Sequence, residues 1–397
     1  MHIARTRHTA EHDVVIVGAR CAGAATARLL AQRGHDVLVL DRAHFPSDTL
    51  STHAIARGGV VQLARWGLLD AVLDSGAPAI RQTAFHMGGA TIRRTVKDRA
   101  GVDLLVAPRR HVLDPLLLDA AHVTGAAVRT GVTVRDVVRN DGGRVVGVLA
   151  QDGTGRSLEV RARFVVGADG VTSRVARAVD APMAWVERSL GATHYAYFEG
   201  DWPAMEYYVG DGAFAGIFPT NDGQACIWVC MPADHAELIR RQAPSLEAAF
   251  TTMVDRASPA LRERLRDRRA SDVRGTMRLP NHVRRCVGQG WALVGDAGYH
   301  RDPVTGHGIT DALRDAELLA CALDRSLRRD EPEMWALQAY QAERDEMIAD
   351  IFRITVALAE FPPPNRFVEL QKELGQAMDD EATALAARPR PGLLLAA

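Results

Sequence analysis

Three short segments carry residues whose types and spacing suit the binding of a phosphorylated, ribose-bearing ligand. The first is Gly18-Ala19-Arg20-Cys21-Ala22-Gly23, a G-x-G-x-x-G turn with its first and third glycines present and Arg20 in place of the second. The Arg20 side chain must either point out of the turn or offer a cation to phosphates. Asp41, 23 residues after Gly18, stands where a carboxylate accepts hydrogen bonds from ribose hydroxyls, with Arg42 beside it. The second segment is Gly167-Ala168-Asp169-Gly170-Val171-Thr172-Ser173. The third is Gly295-Asp296-Ala297-Gly298, followed by Pro303, Gly306, Gly308 and Asp315-Ala316. Glycines at such places let backbone approach a ligand without a Cβ, and a helix N-terminus offers free amides and a positive dipole end to an anion.

The elements that must position these residues follow from periodicity. Val14–Val17 is a continuous apolar strand, a helix runs from about Ala22 to Arg33, Gly34 ends it, and His35–Leu40 is a second strand. This is a βαβ unit whose strands are apolar throughout, as in a parallel sheet covered on both faces. One helix is expected near Arg57–Ser75 and antiparallel strands over 80–106. A helix follows at Leu113–Ala121, then strands at Ala127–Thr133 and Gly143–Ala150, a buried strand at Arg163–Val166 and a helix at Val171–Val179. Residues 190–230 alternate and hold four of the six tyrosines, which reads as an antiparallel sheet. Residues 236–268 read as helical, Trp291–Val294 as another buried strand, and 308–326, 333–358 and 366–387 as helices. The fold expected is α/β: a Rossmann-like nucleotide-binding domain with an inserted antiparallel sheet domain and C-terminal helices.

The three motifs in this order resemble the FAD-dependent monooxygenases of the p-hydroxybenzoate hydroxylase type, a superfamily shared with geranylgeranyl reductases and flavin-dependent halogenases. The resemblance covers about residues 12–320. It implies non-covalent FAD on residues 1–79, 101–180 and 275–330, a substrate domain on 80–100 and 181–274, and C-terminal helices on 331–397. It further implies that Gly18, Arg20, Cys21, Ala22, Gly23, Asp41, Arg42, Arg110, Val134, Asp169, Asp296, Pro303, Gly306 and Gly308 serve the cofactor. Asp296 would accept a hydrogen bond from the ribityl chain, Pro303 would sit beside the ring, and Val134 would pass the adenine. Arg110, in an R-x-x-L-x-x-x-L spacing, would reach the phosphates. Asp169 belongs to the segment proposed to serve both FAD and NAD(P)H, the other reading of its residue type being a cap of the Val171–Val179 helix. Besides Arg20, Tyr299 stands where the family has histidine, with His300 one residue late, and Thr310 stands where asparagine usually follows G-x-G.

Composition narrows the alternatives. The 397 residues carry 48 basic and 49 acidic side chains, so charge gives no case for nucleic acid or an anionic membrane. Five cysteines without C-x-x-C indicate neither a disulfide framework nor a zinc ribbon; all five read as small core residues, and no metal is expected. The polar N-terminal residues lack an apolar signal core, and no run of 18 apolar residues occurs. The expected setting is the cytoplasm.

For the reaction, the resemblance implies an NAD(P)H-dependent hydroxylase. NAD(P)H acts as transient donor, oxygen adds to the flavin as a C4a-hydroperoxide, and an aromatic or polycyclic small molecule receives one oxygen atom. The halogenase tryptophan segment is absent, and Ser51 occupies the cysteine position of the reductases' D-x-x-C-G turn. Reduction of an isoprenoid or other alkene is the alternative, and a non-catalytic FAD-fold binding protein, suggested by Arg20, is a third. Side chains able to move a proton are His53, His86, His194, Tyr195, Tyr197, Tyr207 and Tyr208, with His53, Tyr195 and Tyr197 the preferred set. Tyr195, Tyr197, Phe198, Tyr207, Tyr208, Phe214, Phe218 and Trp228 are expected to line an apolar cavity over the flavin.

Overall fold

The structure is a computed structural model that describes residues 11–390. The polar N-terminal stretch therefore lies almost wholly outside the described residues. Glu11–Val17 pairs in parallel with Val37–Leu40 on one side and with Ser157–Gly167 on the other. Trp291–Leu293 continues the parallel sheet beyond Ser157–Gly167, and Ala127–Arg129 extends it beyond Val37–Leu40. The register places Val17, Leu40, Gly167 and Leu293 at one level. The three motifs, each beginning where one of these strands ends, consequently meet at a single carboxyl edge, the usual ligand edge of an open α/β sheet. Val14, Val15 and Ile16 are fully buried, because helices Cys21–Ala31 and Gly308–Leu327 pack together on the sheet.

A seven-stranded sheet runs Arg274–Met277, Gly191–Glu199, Gln224–Pro232, Ala213–Pro219, Met205–Gly210, Gln82–Met87 and Ala90–Thr95. One face packs on helices Ala233–Gln242, Leu246–Ala257 and Pro259–Arg264 through residues such as Phe198, Phe250 and Met253. The other face packs on the C-terminal helices Glu333–Ala359 and Pro364–Ala387 through Phe214, Trp228, Ile354 and Phe367. A three-stranded sheet joins Met183–Glu187, Asn281–Arg284 and Tyr299–His300.

Local differences from the sequence reading have local causes. The helix expected over 57–75 is two, Arg57–Arg65 and Leu69–Asp74, because Gly67 adopts a left-handed φ of 70° and turns the chain. The strand expected over 127–133 is likewise divided at Gly131, so that Thr133–Arg139 pairs antiparallel with Val145–Gln151. The helix expected over 171–179 is confined to Arg174–Ala178, its first turn being taken by the Asp169 and Ser173 caps. Four cysteines are buried, but Cys321 is only partly so, on the side of its helix that faces Arg33.

Candidate functional site

At the carboxyl edge lies a cavity of about 780 Å³, within the usual range for a small-molecule or cofactor site. Gly18, Arg20, Cys21 and Ala22 form one wall. Gly18 has φ 106°, and a Cβ there would stand 2.3 Å from the Ala168 carbonyl oxygen. Gly23 does not face the cavity; a Cβ there would stand 1.8 Å from the Gly18 carbonyl oxygen, so its task is to let the helix lie against the turn. The Asp41 carboxylate accepts hydrogen bonds from the amides of Ala19 and Ala43, both at 2.7 Å. Those bonds fix it at the cavity wall with Arg42, near Val132 and Val134.

Arg20 takes neither of the two courses the sequence left open in a simple form. Its guanidinium lines the cavity but is ion-paired with Asp114 and hydrogen-bonded to Ser47 Oγ at 3.1 Å. Arg110 reaches the same carboxylate, its Nε at 2.9 Å and a terminal nitrogen at 2.8 Å, and Cys21 Sγ stands 3.3 Å away. Asp114 is fully buried and gathers all three. The sequence reading missed it. The available signal was its position four residues after Arg110 on a helix, the spacing of an ion pair. Burial pushes the Cys21 thiol up to about 12, so it stays protonated.

The opposite wall comes from the third motif. Asp296 projects into the cavity, its surface open to that space while protein surrounds it. This desolvation raises its carboxyl above the ordinary range, with His300 and Arg110 acting against the rise. Pro303, Gly306 and Gly308 follow along the same wall. No atom lies within 4 Å of where a Gly308 Cβ would stand, and Gly306 has φ 61°. The 20-residue helix Gly308–Leu327 directs its N-terminus at this space. Tyr299 and His300 both line the cavity; the buried Tyr299 has its hydroxyl 2.9 Å from Arg314, and His300 bonds the Pro280 carbonyl at 2.6 Å. Thr310 accepts a hydrogen bond from the Ala56 amide at 3.0 Å, so here this position holds a neighbouring helix. Asp169 lines the cavity, yet its oxygens take up Ser173 Oγ at 2.5 Å and the Arg174 amide at 2.6 Å, a capping arrangement.

At the far end stand Tyr195, Ser51 and His53. The Tyr195 hydroxyl accepts from the Ser51 amide at 3.4 Å. His53 Nε2 meets the Tyr197 hydroxyl, Nδ1 has no partner among the described residues, and the rings stack at 5.6 Å. Burial, then Arg110 and Arg109, hold the His53 imidazole well below its ordinary pKa, so it is neutral. His53 has φ 67°, a left-handed conformation that costs a non-glycine residue about 1–3 kcal/mol and tends to mark functional sites. Tyr197 lies behind His53, off the cavity wall, with the Arg109 guanidinium 3.5 Å from its ring centre.

The remaining aromatic expectation fails. Of the eight residues proposed to line an apolar cavity, only Tyr195 does. Tyr207, Phe214, Phe218 and Trp228 are packed among themselves and against the C-terminal helices, while Phe198 and Tyr208 face the helices on the other side. A sheet covered on both faces spends its aromatics on core. His86 and Tyr208 both bond Glu206, and His194 points to the face opposite Tyr195, so neither histidine nor Tyr208 reaches the cavity.

The donor set fits FAD: a glycine turn at a helix N-terminus, a carboxylate fixed near a ribose position, an arginine, and a glycine stretch whose missing Cβ atoms leave free space. The model of the FAD binding domain family matches residues 11–355. The chain belongs to that family. This FAD-dependent oxidoreductase is similar to digeranylgeranylglycerophospholipid reductase 1 of Methanopyrus kandleri, 27% identical over 366 residues that cover 89% of this chain and 91% of that one. It is also similar to menaquinone reductase of Mycobacterium tuberculosis, 29% identical over 354 residues, covering 81% and 78% respectively. Its fold is shared with pqsL, a probable FAD-dependent monooxygenase from Pseudomonas aeruginosa, at TM-score 0.78 and 23% identity, covering 91% of this chain and 100% of that one. The flavin-dependent brominase Bmp2 has the same fold at TM-score 0.78 and 20% identity, covering 97% and 94%. The p-hydroxybenzoate hydroxylase-like architecture read from the motifs is thereby borne out, as is FAD as cofactor. Among the described residues no helix is long and apolar enough to cross a membrane.

Proposed function

We propose that this flavoprotein is an NAD(P)H-dependent monooxygenase that oxygenates a small, ring-bearing molecule in the cytoplasm. In this reading the described parts of 1–79, 101–180 and 275–330 hold FAD, 80–100 and 181–274 serve the substrate, and the described part of 331–397 supplies the C-terminal helices. The observation that carries the reading is the chemistry of the far end of the cavity. Position 51 is serine, the Cys21 thiol is buried against Asp114, and His53 is neutral. This end offers no thiol to deliver a proton to carbon; an alkene reduction needs such a delivery from some donor, and an oxygen transfer does not.

FAD, when bound, supplies the redox chemistry, with NAD(P)H and oxygen as co-reactants. The chain's residues do the rest. Asp41 and the amides at the start of helix Cys21–Ala31 receive the ribose and phosphate end. Asp296, Gly306 and Gly308 receive the ring end, where the helix dipole stabilises negative charge by about 0.3–2 kcal/mol. His53, kept uncharged and held by Tyr197, would act as a neutral hydrogen-bonding group at the substrate end and not as a base, and Tyr195 would orient the substrate beside Ser51.

Reduction of an isolated alkene is the second reading. It is favoured by the relatives named as reductases and by the Tyr195 hydroxyl on the cavity wall, an alternative proton donor. The test is NADPH oxidation by the FAD-loaded protein over a panel of aromatic and isoprenoid compounds, with oxygen uptake and product mass recorded. Gain of one oxygen atom with oxygen consumed is the expected result. Gain of two hydrogens without oxygen uptake establishes the reductase instead.

A further inference from the structure

The family match ends at residue 355, so helix Pro364–Ala387 lies beyond it. Yet this helix places Glu381 behind the wall of the cavity, against the lining residue His307. Glu381 is buried, and its Oε2 stands 2.7 Å from Nε2 of His307, the residue between Gly306 and Gly308. Its Oε1 stands 2.7 Å from Arg314, which also holds Asp311 at 2.8 Å and Asp315 at 2.7 Å. Asp311 is in turn held by Arg301 at 2.5 Å. His307, Asp311 and Glu381 are close enough together to suggest a metal, but the Arg314 guanidinium already occupies the position between the two carboxylates. The cluster is therefore an ion network.

The approach is built into the sequence on a third side. A Cβ at Gly58 would stand 3.1 Å from Glu381 Oε2 and 3.3 Å from the Thr310 methyl, so a glycine here lets helix Arg57–Arg65 close on both. Burial opposes the charge on Glu381, and His307 and Arg314 overcome it, keeping the carboxyl below its ordinary range. An ionised carboxylate fully enclosed by protein is costly unless its partners are fixed, and here two of them belong to the cavity wall and the helix that starts there.

We propose that Glu381 is a positioning residue for the flavin: through His307 it fixes the Gly306–Gly308 backbone against which the FAD ring lies. The C-terminal helix is thus part of the cofactor site and not an appendage to it. The proposal rests on FAD binding alone and holds whether the reaction is oxygenation or reduction.

The test uses the full chain and reads FAD dissociation constant by fluorescence and the two-electron potential of the bound flavin, both well below the unfolding temperature. Glu381→Ala should weaken FAD about tenfold and shift the potential measurably, and Glu381→Gln, which can still bond His307, should recover most of both. His307→Asn removes the same link without leaving Arg314 short of a carboxylate, and should match Glu381→Ala if that variant fails to fold. Asp379→Ala is the control. It loosens the same helix at Arg57, 3.1 Å away, and should leave FAD affinity and potential unchanged. A lowered melting temperature in His307→Asn with affinity and potential both unchanged overturns the proposal. So does a tenfold loss of affinity in Asp379→Ala.

Discussion

Asp114→Ala is the most informative single change at the glycine-turn end of the cavity. The Asp114 carboxylate is fully buried and holds Arg20 and both donors of Arg110. Removing one partner of a buried ion pair costs about 3–5 kcal/mol, because the other charge is left uncompensated. Arg20 is 27% exposed and can rehydrate through the cavity, whereas Arg110 is 11% exposed and cannot do so as readily. The expected loss is therefore about 3 kcal/mol, at the lower end of that range. FAD phosphates should then replace the missing carboxylate. One charge-assisted hydrogen bond contributes about 1.5–3 kcal/mol, so saturating FAD should stabilise the variant by at least about 1.5 kcal/mol more than it stabilises the parent. Urea unfolding followed by circular dichroism, with and without FAD, measures both quantities. A loss under about 1 kcal/mol would mean the two guanidinium groups are already solvated. Equal stabilisation of parent and variant by FAD would mean the freed arginines do not face its phosphates.

Asp296→Ala should leave the fold intact and weaken FAD about 10- to 100-fold, the equivalent of one charge-assisted hydrogen bond, as read by fluorescence titration. Gly308→Ala should unfold like the parent, since nothing lies within 4 Å of the new methyl, yet bind FAD at least about tenfold more weakly; unchanged affinity would move the ring elsewhere. His194 and His282 are both lowered to about 4 by burial, the first also by Arg240 and the second also by Arg284 and His300. An unfolded histidine titrates near 6.5, so between about pH 6.5 and 4 the unfolded state binds protons that the folded state does not. The stability these groups contribute is present above about pH 6.5 and lost as pH falls. His282→Asn should flatten the decline relative to the parent, and an identical slope would show that His282 is protonated in the folded protein.

Much of the site was legible in the sequence because it is written in backbone terms. Gly18 needs a positive φ, Gly23 needs the absence of a Cβ, and Asp41 and Asp296 each follow an apolar strand, so local spacing alone points to all four. The parallel register then brings three separated turns to one edge, and the motifs' order is enough to anticipate it. What the sequence could not supply were choices made between distant elements. Alternation places Tyr195 and Tyr207 on inward faces equally, but whether an inward face meets a cavity or a helix depends on where Glu333–Ala359 and Pro364–Ala387 pack. Asp114 becomes the keystone of this cavity wall only when Arg20, 94 residues earlier, folds onto it. Glu381 meets His307 of the cavity wall only where a C-terminal helix packs, and Gly58 gives that helix room. Periodicity fixes which face a residue occupies, and burial of apolar surface decides what that face meets.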